Sequence, residues 1–398
     1  MVINVLAIGD VANVMKSLSK ITKKSKINIV NFPKDGKGIF IHDDNVDRFV
    51  SWKVKEQVEY INKIKKNYDI CIVMGTGERI AYLADLNYIS YYVGRDIDAP
   101  RFIKNSKESW FKTSLHKLNF LERKFYHNTF KNAIAHISGI WVYPFLQRYT
   151  ENGIKMDMQT IDNELFKNVK HEMNIQKTKF TFFSPQRMGI PKGTDLLWKA
   201  LKLCKTDFQI LQVNWFDESN NEELKIKDKL LKELPPQVKL IPMIKRKKMP
   251  EYYSFADAII GNMRIGTWEL VDLEGVMCGK PVLSFSDPNH KLLVKGNYIQ
   301  SPFLPYSNKP EDIAKIIDKI VLSKEFRDKL FEDERTFVTN STDKEWISNW
   351  WDELFEKYSQ KYENIHKNSS SISIKIRMGL FLIGNRLYWK KIKKLIKI

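Results

Sequence analysis

The sequence predicts an α/β protein built from two doubly wound domains with a cleft between them. Three observations carry this expectation. Short apolar runs of strand length alternate with helical patterns along most of the 398 residues. The chain opens on an apolar strand, VINVLAIG, that enters a turn at Gly9 and Asp10 and then a helix after Ala12, the first step of a doubly wound sheet. The alternation then lapses over the polar, irregular stretch 150–178 and restarts at 179. The expected division is therefore 1–165, 166–340, a closing helix at 341–365 and a tail at 366–398.

Taken in order, INIVNF (27–32) reads as a second strand, and a Lys- and Glu-rich helix spans about 50–66. YDICIVMG (68–75) is a third strand, followed by Thr76, Gly77 and a helix from Glu78. NYISYYVGRDI (87–97) gives another strand ending in Gly94-Arg95-Asp96; a helix at 108–133 and the strand AIAHISG (133–139) follow. In the second half the strands are 179–184, 208–213, 238–244, 256–261 and 281–285. Helices at 194–204, 221–233, 249–255 and 268–278 separate them, and two more follow at 308–321 and 323–332. An aromatic-rich helix containing Trp346, Trp350, Trp351, Phe355 and Tyr358 closes the globular part.

Bulk composition narrows the class. Hydrophobic residues make up 43% and aromatics 12%, which suits a packed globular chain and excludes a disordered one. Cys71, Cys204 and Cys278 are odd in number and far apart, so neither a disulfide framework nor a cysteine metal site is expected, and a cytoplasmic location is. The amino terminus lacks the basic lead-in of a signal peptide, and no apolar run approaches the length of a spanning helix. His42-Asp43-Asp44 is the only His–acid cluster, and its spacing suits a solvated loop better than a metal site.

The net charge of +19 is unevenly placed: residues 366–398 hold nine Lys or Arg and no acid. There the cations interleave with Ile372, Ile374, Met378, Leu380, Phe381, Leu382, Leu387, Tyr388 and Trp389. That mixture is what an in-plane helix on anionic lipid needs, at about 1 kcal/mol per cation. The alternative is a tail packed on the domain or on another chain. Lys245-Arg246-Lys247-Lys248 is the other dense basic cluster; no recognition helix, zinc pattern or aromatic RNA-binding strand accompanies it, so nucleic acid is not an expected partner.

The stretch FFSPQRMGIPKGTDLLWKAL (182–201) is a strand, a loop and a helix, with Arg187, Lys192 and Gly193 in the loop. Unpaired amides, a helix dipole and two cations make a phosphate site chemically sensible there; two solvated cations on a connecting loop are the alternative.

The segment ADAIIGNMRIGTWELVDLEGVMCGKPVLSF (256–285) decides the family. Its second half, with Leu273-Glu274, Gly275-Val276-Met277-Cys278 and Gly279-Lys280-Pro281-Val282, resembles the core motif of family-4 retaining glycosyltransferases (glycosyl transferases group 1). The Arg187…Lys192-Gly193 loop is similar to that family's diphosphate clamp, IDNELF (161–166) to its interdomain link, and YYVGRDI (91–97) to its Gly-x-Asp strand. The matches span about residues 3 to 340 in the family's order. The resemblance implies a GT-B fold of two facing Rossmann-like domains, an acceptor-binding first and a nucleotide-sugar-binding second.

It also implies roles. Arg187 and Lys192 would neutralise the departing diphosphate, Glu274 would accept both ribose hydroxyls, and Asp96 would join them as a catalytic residue. Gly9, Gly193, Ile244, Gly266, Glu269 and Leu273 would complete the donor site. The donor is a nucleotide-sugar used as substrate, and no metal or cofactor is implied. The acceptor is a glycan, a lipid-linked glycan or a protein, reached at the inner membrane face through the tail. Two departures stand out. The family's first glutamate, eight residues before Glu274, is Gly266 here, and a histidine near the Gly-x-Asp is replaced by Tyr91, Tyr92 and Val93. Glu269 through a shifted loop, or backbone amides at 265–267, would take the glutamate's place; otherwise donor binding has decayed and the chain is a non-catalytic scaffold or nucleotide binder.

Overall fold

The computed structural model describes residues 2–11, 13–33, 46–104, 118–156, 160–170, 177–216, 218, 221–295, 297–362, 365, 367 and 369–384. The His42-Asp43-Asp44 loop, the start of the helix expected from 108 and the tail beyond Gly384 lie outside them. The chain forms two compact units, 1–156 with 344–398, and 157–343. The sequence reading set the join at 165/166 and kept 341–365 apart; the contacts put the closing helix and tail with the first unit.

In the first unit the strands are β1 (Ile3–Ile8), β2 (Ser25–Asn31), β3 (Asp47–Arg48), β4 (Ile70–Met74), β5 (Tyr88–Tyr92), β6 (Ala135–Ser138) and β7 (Gly153–Lys155). The helices are α1 (Val14–Ser19), α2 (Val54–Ile64), α3 (Gly77–Leu83), α4 (Arg95–Asp98), α5 (Phe120–Lys131) and α6 (Tyr143–Leu146). The strands form one parallel sheet in the order β3-β2-β1-β4-β5-β6-β7. The edge strands β3 and β7 were not anticipated. The expected strand 87–97 stops at Tyr92, because Asp96 turns the chain back by accepting the Gly94 N–H at 2.9 Å, and Arg95–Asp98 is a helical turn.

The second unit contains β8 (Thr181–Ser184), β9 (Gln209–Val213), β10 (Val238–Ile241), β11 (Ala258–Ile260) and β12 (Val282–Leu283), in the parallel order β10-β9-β8-β11-β12. Its helices are α7 (Thr194–Leu201), α8 (Asn221–Lys232), α9 (Met249–Phe255), α10 (Leu270–Met277), α11 (Pro310–Leu322) and α12 (Lys324–Ser341). An antiparallel hairpin of β13 (Lys291–Val294) and β14 (Asn297–Gln300) is a further addition to the expected elements. Both main sheets place their first strand between the second and the fourth. That is the doubly wound order, with a reversal between first and fourth strands. Phe182, Ile210, Ala258 and Ile260 on the second sheet pack with Trp198 and Leu201 of α7 and Ile313 and Ile317 of α11, all essentially buried.

The closing helix α13 (Lys344–Lys361) and a tail helix α14 (Ser371–Gly384) complete the first unit. The sequence reading laid the tail on lipid, yet α14 docks on protein along one face. Phe381 is buried with its ring 5.1 Å from that of Phe125, and Arg377 pairs with Asp85 at 2.7 Å. Ile372, Ile376, Leu380 and Ile383, spaced to share the opposite face, are exposed. Among the described residues no helix is long and apolar enough to cross a membrane.

Candidate functional site

In a doubly wound sheet the loops leaving the carboxyl ends of the first and fourth strands diverge, and the crevice they leave is where ligands bind. In the second unit those loops follow β8 and β11, and every expected donor-side residue except Gly9 and Ile244 lies on them or on α10. The loops are pinned to each other. The Met263 N–H donates to the Lys192 carbonyl at 3.1 Å, and Gln186 donates to the Gly261 carbonyl. Gly193 adopts φ +71°, and a Cβ there would sit 2.8 Å from the Met263 carbonyl carbon, so only glycine permits the approach.

Asn262, wholly buried at the end of β11, is the hub. Its Oδ1 accepts the N–H groups of Arg264 and Ile265 at 2.7 and 2.9 Å, while its Nδ2 donates to the Pro191 carbonyl and to Glu269 Oε2 at 3.4 and 3.3 Å. Arg264 Nη2 reaches both carboxylate oxygens of Asp195, at 2.7 and 2.6 Å, tying the second loop to the first turn of α7. The Lys192 ammonium donates to Glu269 Oε1, both side chains being about one-fifth exposed. Glu269 immediately precedes α10, so a lysine and the positive end of a helix dipole meet at one partly open point. Arg187 lies on the same loop as Lys192 and is partly exposed.

Beneath this point, Asp272 is buried. Its Oδ2 accepts the Glu269 N–H at 2.7 Å and the Ser284 hydroxyl at 3.1 Å. Burial pushes its carboxyl up to about 8. A Cβ at Gly261 would stand 1.8 Å from Asp272 Oδ1, so that glycine makes room for the acid.

Five residues into α10, the Glu274 side chain is only 3% exposed. Arg246 Nη2 lies 2.8 Å from its Oε1, and the Tyr253 hydroxyl donates to Oε2 at 3.0 Å. Burial raises the Glu274 carboxyl above its ordinary range, and Arg246 and Tyr253 pull it back. The Arg246 guanidinium also lies 4.8 Å over the buried Phe166 ring. Leu273 is buried, so its side chain is core and only its backbone is available to a ligand. Ile244 is partly exposed and follows β10 through Pro242 and Met243, beyond the strand's end.

Gly266, standing where the family's first glutamate belongs, adopts φ +78°. Its carbonyl accepts the Asp287 N–H at 2.8 Å and lies 2.9 Å from His290 Nδ1. A Cβ there would sit 2.9 Å from Asp287 Cβ and 3.0 Å from Phe285 Cε1. The missing glutamate is therefore built into the local fold: the turn is packed where its side chain would start.

Gly9 and Asp96 belong to the other unit. A Cβ at Gly9 would lie 2.7 Å from the Met74 carbonyl, so the glycine serves the close passage of β1 and β4. The Asp10 carboxylate accepts the Met15 and Lys16 N–H groups at 2.9 and 3.0 Å, occupying the start of α1 with the protein's own acid. Burial pushes Asp96 up to about 6, and nearby Glu78 up to about 7. Glu78 Oε1 accepts from Ser90 and Tyr92, each at 2.8 Å, and the Tyr92 hydroxyl lies 3.1 Å from His136 Nδ1. Glu78, Tyr92 and His136 form one hydrogen-bonded chain. Tyr92 thus occupies the neighbourhood where the family's histidine is absent.

The structure brings Lys192, Gly193 and Glu269 together and sets Glu274 farther along the same helix, closed over by Arg246 and Tyr253. The motif-based reading missed Asn262, Arg264, Asp272, Arg246 and Tyr253. A polar residue directly after a buried strand was the available signal for Asn262, and the basic cluster for Arg246; the rest carried none. Among the described residues no cluster of three or more His, Cys, Asp or Glu is arranged to hold a metal.

Residues 166–337 match the family model of glycosyl transferases group 1. Among solved structures, HepE of Anabaena in complex with UDP and glucose is 14% identical, with a TM-score of 0.61, covering 89% of this chain and 100% of that one. Sucrose-phosphate synthase from Thermosynechococcus elongatus is 15% identical, with a TM-score of 0.62 over 89% and 99%. A glycosyltransferase from Rickettsia africae is 15% identical, with a TM-score of 0.57 over 92% and 100%. At such identities the likeness establishes a shared fold, two Rossmann-like domains of GT-B type. No curated protein sequence matches.

Proposed function

We propose that this chain, whose residues 166–337 are of the glycosyl transferases group 1 family, moves a sugar from a nucleotide-sugar to an acceptor with retention of configuration and without a metal. The observation that carries the reading is the ion pair of Lys192 and Glu269 at the amino end of α10, on loops pinned by Asn262 at the sheet's reversal point. Arg187 and Lys192 neutralise the diphosphate as the sugar–phosphate bond breaks, which stabilises the leaving group. Glu274 holds the ribose. With Gly266 packed shut and the Ile265 N–H taken by Asn262, Glu269 and the amides of residues 266 and 267 are left to hold the sugar's hydroxyls. The solved neighbours holding UDP or UDP-glucose support this type of donor.

The acceptor we favour is a lipid-linked glycan. The exposed face of α14, with Ile372, Ile376, Leu380 and Ile383, and the cation excess of residues 366–398 suit an anionic membrane surface. Because Phe381 and Arg377 anchor α14, deleting the tail would uncover protein core. The better test replaces Ile376 and Ile383 with Asp, which should release the protein from anionic liposomes without unfolding it.

The direct test of activity incubates the protein with UDP-, GDP- and ADP-sugars, following slow hydrolysis and ligand-induced thermal shifts. One family of nucleotide should stabilise and turn over. Binding without turnover would favour the second reading, a non-catalytic GT-B protein, for which the packed Gly266 turn is the specific support. Failure of every nucleotide to bind would remove the enzyme reading and leave the scaffold form of the second.

A further inference from the structure

We propose that Arg246 is a displaceable placeholder on the ribose carboxylate, so that ribose must evict it before a nucleotide seats fully. The inference rests on the donor reading of Glu274 and adds to it a residue that no motif marks.

The two oxygens of Glu274 meet different partners. Tyr253, wholly buried on α9, takes Oε2 at 3.0 Å from within. Arg246, whose side chain is 26% exposed, takes Oε1 at 2.8 Å. With the carboxylate 3% exposed and Arg246 ion-paired over Oε1, a ribose diol cannot reach it while Arg246 stays. Tyr253 cannot leave without opening the core, whereas Arg246 can.

The surroundings suit an arginine that moves. Arg246 begins a short 3-10 turn, Arg246–Lys248, that runs straight into α9. Movement of the guanidinium along the Phe166 face keeps its stacking while freeing Oε1. Until then it neutralises a buried carboxylate that would otherwise be costly to keep charged. Two states follow: Arg246 in with Glu274 covered, and Arg246 out with the ribose seated. A ligand that needs the second state binds with an affinity reduced by that state's fractional population.

The test measures binding of UDP and of 2′,3′-dideoxy-UDP to wild type and to R246Q by calorimetry. Eviction predicts that R246Q binds UDP several-fold more tightly while dideoxy-UDP, with no diol to seat, is unchanged. R246K, which keeps the charge but loses the planar fork, should fall between them and provides the reading if R246Q does not fold. Unchanged or weakened UDP binding overturns the proposal, as does an equal change for both ligands, because either would make Arg246 a fixed support or a direct nucleotide contact. If wild type binds neither UDP nor any other nucleoside diphosphate, the donor reading itself fails and takes the placeholder with it.

Discussion

The packed turn at Gly266 makes a prediction that bears directly on why this chain departs from the motif it resembles. Gly266→Ala introduces a Cβ into backbone at φ +78°, a left-handed conformation that disfavours L-residues by about 1–2 kcal/mol. The same Cβ meets Asp287 Cβ at 2.9 Å and Phe285 Cε1 at 3.0 Å, and overpacking of this kind costs about 1–3 kcal/mol. The turn cannot easily yield, since the Asp287 N–H holds the Gly266 carbonyl at 2.8 Å. A total of roughly 2–5 kcal/mol corresponds to a fall in Tm of roughly 5–15 °C for a unit of this size.

Gly266→Glu, which reinstates the family's residue, should lose at least as much and gain no transfer activity. Calorimetric melting of both variants against wild type, with hydrolysis of the best donor in parallel, measures this. Melting within about 1 °C of wild type would refute the steric argument. A more active Gly266→Glu would refute the assignment of sugar-holding to Glu269 and its neighbouring amides.

Lys192→Met and Arg187→Met should each weaken nucleoside diphosphate binding about 10- to 100-fold, the loss of one charge-assisted contact, measured by calorimetry; unchanged affinity would move the clamp elsewhere. Asp272 binds a proton in the fold up to about pH 8 that the unfolded chain, at its ordinary 3.8, has released, so its contribution to stability declines as pH rises between those values. Urea unfolding of wild type should accordingly lose at least ~1 kcal/mol more between pH 5 and 8 than D272N does; parallel curves would count against a buried neutral acid. Arg377→Ala leaves Asp85 buried without its ion-pair partner, at about 3–5 kcal/mol. It should speed amide exchange across 371–384, and unchanged protection would mean that Phe381 alone docks the helix.

Much of the fold was legible because parallel strands buried on both faces read as near-continuous apolar runs: ICIVM, YISYY and ILQV, the last two with one polar residue each, announce themselves. The misses share a cause. β3 and β7 are edge strands of two and three residues with partly exposed side chains, too short for any period to form. The expected strand 238–244 ends at Ile241 because Pro242 has no N–H for the ladder, which leaves Ile244 outside the sheet. The tail was read from its composition, which records how many apolar residues a helix carries but not that Phe381 faces Phe125 while Ile376 faces away.

The site divides along the same line. Charges on loops that follow buried strands are local facts, and Arg187, Lys192 and Glu269 could all be found that way; Glu274, inside α10, was marked only by the motif it resembles. Who pairs with whom is not local. Lys192 meets Glu269 across 77 positions, and Arg264 meets Asp195 across 69, because the sheet order places the fourth strand beside the first. The order of a doubly wound sheet is itself predictable, so these pairings could have been anticipated by asking which charges leave β8 and β11 on the same side. Glu274 could not have been resolved so. Its partner Arg246 follows β10, which β9 and β8 separate from β11, and only the folded course of residues 242–246 brings it back over Phe166 to α10. The least predictable contact of the site is thus the one that covers Glu274, and a motif that names Glu274 alone leaves its partner out.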